Sequence, residues 1–117
     1  MKHLVRKRKL HREKDQRKAL VKSLVNNLIL KEKINTTLAK AKEAQKKVER
    51  LITIAKKQNL QSFRRIKKEL PLKAAKKLYY EISPRYLLRK GGYTRIIKTL
   101  KRKIKDGSML VILEFVK

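Results

Sequence analysis

"YTRIIKTLKRKIKDGSMLVILEFV", residues 93–116, decides the fold. Its flanks, residues 93–101 and 109–116, are rich in β-branched and aromatic side chains and too short to stand as independent helices. "KDGS", residues 105–108, supplies the Asp-Gly turn signal of a hairpin between them. A small sheet of this kind is stable only when one face is covered by another layer, and the preceding residues supply it.

From about residue 16 to 31, Leu20, Val21, Leu24, Val25 and Leu28 recur at steps of three and four, a helical stripe. Asp15 is placed to cap its start, and Arg17, Lys18 and Lys22 occupy the other side. "KINTT", residues 33–37, reads as a brief strand whose Thr37 is an N-cap for the next helix. That second helix, over about 38–56, carries Leu38, Ala41, Ala44, Val48, Leu51, Ile52 and Ala55 on one stripe, with alanines that allow close approach. Gln58 and Asn59 break the pattern, and Ser62 is placed to cap a short third helix through "FRRIKKEL", which Pro71 ends. "PLKAAKKLYYEI" forms a fourth helix with Leu72, Ala75, Leu78, Tyr79 and Ile82 inward, stopped by Ser83-Pro84.

The order is helix, strand, three helices, two strands. It specifies an α+β domain of two layers, with helices covering a small mixed three-stranded sheet. Residues 15–117 form that single domain, and residues 1–14 form a basic arm, in which six Lys and Arg precede the first acid, Glu13. The arm is expected to order on a polyanion.

Charge narrows the function. The chain has 36 Lys plus Arg against 9 Asp plus Glu, a formal +27 on 13.9 kDa, far more than solubility requires. At 41% hydrophobic it is too apolar for a disordered polycation. Nucleic acid is the leading partner, because neutralising its dense phosphates releases condensed counterions. No apolar run approaches the roughly 20 residues of a membrane span. The start lacks a signal-peptide core, which argues against export. The absence of cysteine excludes disulfides and thiolate metal sites.

Signals for catalysis are thin. The nine carboxylates, Glu13, Asp15, Glu32, Glu43, Glu49, Glu69, Glu81, Asp106 and Glu114, are scattered singly among lysines and read as local charge partners. His3 and His11 lie in the arm with nothing to complete a metal or nucleophile constellation. "KGGYT" lacks the spacing of a phosphate loop. Neither an enzyme nor a cofactor or metal is expected, and no small-molecule substrate.

Recognition of phosphate and bases is supplied repeatedly. The arm offers guanidinium forks, and Thr36 and Thr37 add hydroxyls at a helix start. Arg85, Tyr86, Arg89, Lys90, Tyr93 and Arg95 crowd around two of the three glycines, Gly91 and Gly92. Tyrosine and arginine can stack on unpaired bases, as in the reading of folded RNA. For Tyr93, packing at the sheet edge and RNA contact are both open. Tyr79 and Tyr80 read as one core ring and one surface ring.

Three segments in order, "MKH", "RKALVKSLVNNLILKEKINTTLAKAKEAQKKVERLITIAK" and "PRYLLRKGGYTRIIK", resemble the bacterial-type large-subunit ribosomal protein seventeen family over nearly the whole chain. The Thr-Thr-x-x-Lys-Ala-Lys-Glu and Arg-x-Gly-Gly-Tyr-Thr-Arg-Ile blocks carry the likeness. The resemblance implies a structural protein, bacterial or organellar, that braces large-subunit rRNA near the nascent-chain exit and touches neighbouring ribosomal proteins. It implies RNA-facing roles for the arm (Lys2, His3, Arg6, Lys7, Arg8, Lys9, His11, Arg12), for Arg17, for Thr36, Thr37, Lys40 and Lys42, and for Arg89, Lys90, Gly91, Gly92, Tyr93, Thr94 and Arg95. The chain departs from the family pattern at His11 and Gln16, and in "TLKRKIKDGS", where a glycine-containing connection is usual.

Gly91 and Gly92 admit two readings: an RNA backbone lying where a Cβ would stand, or a turn needing positive φ. The competing function class is a general or nucleoid-type DNA-binding protein, since charge alone does not separate DNA from RNA.

Overall fold

A computed structural model describes residues 13–102 and 107–117. Its elements are α1 (Lys14–Lys31), β1 (Lys33–Thr37), α2 (Leu38–Ala55), α3 (Leu60–Glu69), α4 (Leu72–Lys77), β2 (Thr94–Arg102) and β3 (Met109–Phe115). The arm up to Arg12 and the Asp106 half of the Asp-Gly signal lie outside the described residues.

The α+β order matches the expectation from sequence, but the sheet is antiparallel throughout rather than mixed. β3 sits in the centre, β1 and β2 flank it, and both pairings are antiparallel. The reason lies in composition. "MLVILEF" is the strand able to be covered by neighbours on both edges, whereas "KINTT" and "TRIIKTLKR" carry the polar and basic residues that suit exposed edges. β1 and β2 point the same way without touching, so no parallel pair forms. Lys33 of β1 and Arg95 of β2 both stand opposite Glu114. A register irregularity between Lys98 and Arg102 carries the end of β2 away from regular pairing.

Val111, Leu113 and Phe115, alternate residues of β3, are buried beneath the helices. α2 crosses this inner face, and its stripe of Ala41, Ala44, Val48, Leu51, Ile52 and Ala55 is buried as the spacing requires. α1 contributes Val25, Leu28 and Ile29, so only its C-terminal half enters the core. From α4 onward, Ala74, Ala75, Leu78 and Ile82 complete it. Leu72, expected inward, is 50% exposed because it is the first residue of α4 and the inward phase begins at Ala74.

The helix ends differ from expectation in instructive ways. α1 begins at Lys14 with Glu13 as N-cap, which leaves Asp15 inside the first turn. Asn59, not Ser62, caps α3: Asn59 accepts from the Ser62 N–H at 2.7 Å, while Ser62 reaches back to Asn59, a reciprocal capping box. Ser83-Pro84 does not stop the fourth helix. The chain widens into a π turn over Leu78–Ile82 and tightens into a 3₁₀ turn over Ser83–Tyr86, in whose first turn proline has no N–H to lose. The Ser83 hydroxyl donates to the Tyr79 carbonyl at 2.9 Å, and Gln58 donates to that same carbonyl at 3.0 Å.

Candidate nucleic-acid interface

The corner between the 3₁₀ turn and β2 is built from two buried tyrosines. Tyr86 packs on Tyr93 with ring centroids 5.3 Å apart, and its hydroxyl donates to the Val116 carbonyl. Burial pushes the Tyr86 hydroxyl pKa up. Tyr93 is 2% exposed and Thr94 6%, so both side chains are packed within the chain. Of the two readings open for Tyr93, packing prevails.

Two residues seven apart clamp this corner: Glu49 of α2 and Lys56, the C-cap of that helix. Glu49 accepts from the Tyr93 and Thr94 N–H groups at 3.2 and 2.8 Å and from the Thr94 hydroxyl at 2.6 Å. Lys56 donates to the Tyr93 hydroxyl at 2.8 Å and to the Arg89 carbonyl, with its ammonium 4.9 Å from the Tyr93 ring centroid. Arg89 closes the loop on itself by sharing its Nε hydrogen between the Gly91 and Gly92 carbonyls, at 3.2 and 3.1 Å. Arg89, Lys90, Gly91 and Gly92 are exposed. The outcome is a basic loop whose backbone is fixed from beneath before any ligand arrives.

The two glycines have different reasons. Gly92 has φ +64°, a left-handed conformation that β-carbon-bearing residues adopt at a cost. Gly91 is not in that region, and a Cβ on it would meet nothing within 4 Å. The chain's own packing therefore gives no reason for glycine at 91.

The remaining sequence candidates are dispersed. Arg17 sits half-buried in the exposed first half of α1. Thr37 is the N-cap of α2 as expected, yet its hydroxyl makes no cap bond; Thr36 and Lys40 are half-buried and Lys42 is exposed. The strand register sets Thr36 opposite Val111 and Thr94 opposite Phe115, so these groups are offset by four steps along β3, roughly 13 Å at about 3.3 Å per residue, and stand on opposite sides of that strand. From the Thr94 end to beyond the level of Thr36, β2 exposes Arg95, Lys98, Lys101 and Arg102. The last three are not among the sequence candidates, although the strand assignment already places a run of cations along one edge. Glu49 and Lys56 are absent from them as well; the signal is the two-turn spacing that puts a helix acid and the helix's C-cap lysine on one side.

Several of the acids are engaged within the chain. Glu32 receives Arg85 at 2.5 Å and Lys77 at 3.5 Å, and the Arg85 hydrogen bond holds its carboxyl below the usual range. Arg85 is thereby tied to the chain's own carboxylate. Glu69 is paired with Lys47, whose hydrogen bond lowers the Glu69 carboxyl likewise, and Glu114 faces Arg95 at 3.5 Å. Among the described residues no three His, Cys, Asp or Glu gather to hold a metal, and no helix is long and apolar enough to cross a membrane.

The family described as Ribosomal protein L17 matches residues 20–116. Over 117 aligned residues the chain is 50% identical to the large ribosomal subunit protein bL17 of Hydrogenobaculum sp., covering 99% of each chain. It is 46% identical to the protein of that name from Sulfurihydrogenibium sp., covering 99% of this chain and 97% of the relative. With that of Phytoplasma mali it shares 47% identity over 92% of this chain and 97% of the relative. On a match that takes in every described element from the middle of α1 to the end of β3, the chain belongs to the ribosomal protein L17 family.

Proposed function

We propose that this chain, a non-enzymatic structural protein of the large ribosomal subunit, binds and braces large-subunit rRNA near the point where the nascent chain leaves. It works in the cytoplasm beside neighbouring ribosomal proteins. The observation that carries the reading is the Arg89–Gly92 loop. Lys56 holds its first carbonyl, Glu49 holds the start of β2 that follows it, both of its cations are exposed, and the residue at 91 has no internal reason to lack a side chain. A rigid cationic loop with bare backbone suits a phosphate chain lying directly on it, since ordering costs have been met in folding.

In this reading residues 1–14 reach RNA as an extension of one folded unit, 15–117, and β2 continues the basic surface from the glycine loop toward Thr37 and Lys42. Phosphate contacts of this kind position the protein and make binding steeply salt-dependent. Cosedimentation with the large subunit through a high-salt wash is the expected result. In competition near physiological salt, a large-subunit rRNA transcript displaces duplex DNA. Equal affinity for the two would favour the general DNA-binding reading and remove this one.

A further inference from the structure

A groove of about 440 Å³ lies between the end of α1 and α4 with the turn that follows, lined by Leu30, Lys73, Lys76, Lys77, Tyr80 and Glu81. Its volume falls in the range of roughly 300–1,000 Å³ typical of small-ligand sites. Tyr80 is 62% exposed, yet its ring is held: Tyr79 meets it edge-on at 4.9 Å and Phe63 at 5.8 Å. An aromatic ring fixed by two others and left outside the core is a stacking platform. Lys77 is tied into the wall by the Leu30 carbonyl at 2.9 Å and by Glu32. Lys73 and Lys76, one turn apart, are exposed and form no ion pair with a described residue. Two untethered ammonium groups therefore flank the ring.

We propose that this groove takes one unpaired nucleotide of the bound RNA, with its base stacked on Tyr80 and its adjoining phosphates on Lys73 and Lys76. The inference rests on the rRNA reading above and adds to it a second contact, made by residues other than those of the glycine loop. Leu30 adds an apolar side to the lining, and the Glu81 carboxylate can accept from an exocyclic amine, which cytosine, adenine and guanine have and uracil lacks. Single-stranded loops and bulges present such splayed bases, whereas a duplex keeps them stacked inside.

The test measures binding of the full chain to a bacterial large-subunit rRNA transcript near 150 mM salt, with duplex DNA and polyglutamate as comparison polyanions. Tyr80→Ala is expected to weaken rRNA binding about tenfold or more, the effect of losing one base–aromatic stack, while Tyr80→Phe binds as the parent does. The double change Lys73→Gln, Lys76→Gln leaves the aromatic cluster intact and is expected to flatten the slope of log K against log salt by about 1.4, two single-strand phosphate contacts at about 0.7 each. If the parent prefers rRNA to duplex DNA but the lysine pair and Tyr80→Ala leave affinity and slope unchanged, the groove proposal is wrong and the rRNA reading stands. Equal loss of polyglutamate binding in Tyr80→Ala would also overturn it, because no base is then being stacked. A parent chain that does not prefer rRNA removes both.

Discussion

Two corners of the molecule share one unusual backbone conformation and fill it differently. Gly92 has φ +64° and Glu32 has φ +66°. At Gly92 the residue contributes no side chain, and the corner is held by a neighbour's carboxylate, Glu49 of α2, bonded to the start of β2. At Glu32 the residue itself brings the carboxylate. Its N–H closes α1 on the Leu28 carbonyl at 2.6 Å, and its side chain gathers Arg85 and Lys77. The first corner has no side chain of its own at 91 and 92 and meets the outside as exposed backbone with Arg89 folded onto its carbonyls; the second covers itself with its own ion pairs. This difference separates a surface prepared for another molecule from one that completes the fold.

The largest expected effect comes from removing the carboxylate that serves the bare corner. Glu49→Ala leaves the Tyr93 and Thr94 N–H groups without their acceptor beside a buried threonine, and should lower the unfolding free energy by about 2–3 kcal/mol. Denaturant unfolding measures it. A loss below about 1 kcal/mol would mean that water replaces Glu49 freely and that the loop is not held in advance.

Next come the glycines themselves. Gly92→Ala should cost about 1–2 kcal/mol in stability, because alanine resists the left-handed region. Gly91→Ala has open space around it and should change stability by less than about 0.5 kcal/mol, while weakening rRNA binding in a filter assay. Should Gly91→Ala bind rRNA unimpaired, nothing lies against that backbone, and the contrast between the corners shrinks to conformation alone.

The covered corner can be dissected in the same way. Glu32→Ala loses the ion pairs and keeps the backbone cost, whereas Glu32→Gly loses the ion pairs and relieves it. The glycine variant should therefore be the more stable of the two by about 1 kcal/mol, read from thermal unfolding. Equal stabilities would show that α1 does not need its left-handed end.

Much of this is legible in the sequence, and the failures share a cause. "KINTT" reads correctly as a strand with Thr37 as the N-cap of α2, and the α2 stripe reads correctly from Ala41 to Ala55, with Leu38 at its start only partly buried, because both signals are local periodicities. Partnership across distance is what a linear pattern hides. Glu49 looks like one more acid among lysines, since its bonding partners lie more than 40 residues away. Tyr93 is decided only by Tyr86, Lys56 and Glu49, which surround it in space. The antiparallel sheet is hidden because nothing local says that the last strand enters between the first two. The Ser62 assignment errs by one turn, since a capping box puts a polar side chain at both ends of its pattern and Asn59 is the one outside the helix.

The smallest effect tests why Glu32 is a glutamate at all. The Arg85 hydrogen bond keeps its carboxyl below its ordinary value in the folded chain, so its stabilisation is fully present above the unfolded value of about 4.3 and disappears as pH falls through the lower folded value. Its side chain is 40% exposed, which limits the contribution to about 0–1 kcal/mol at neutral pH. Glu32→Gln should therefore be slightly less stable than the parent at pH 7, and the two stability curves should converge below about pH 4. Glu69 titrates in the same direction through Lys47, so both curves still fall with acid, and only their difference belongs to Glu32. A difference that persisted unchanged to pH 2 would show that the glutamine fails for reasons of packing, and that the ion pairs do not stabilise the covered corner.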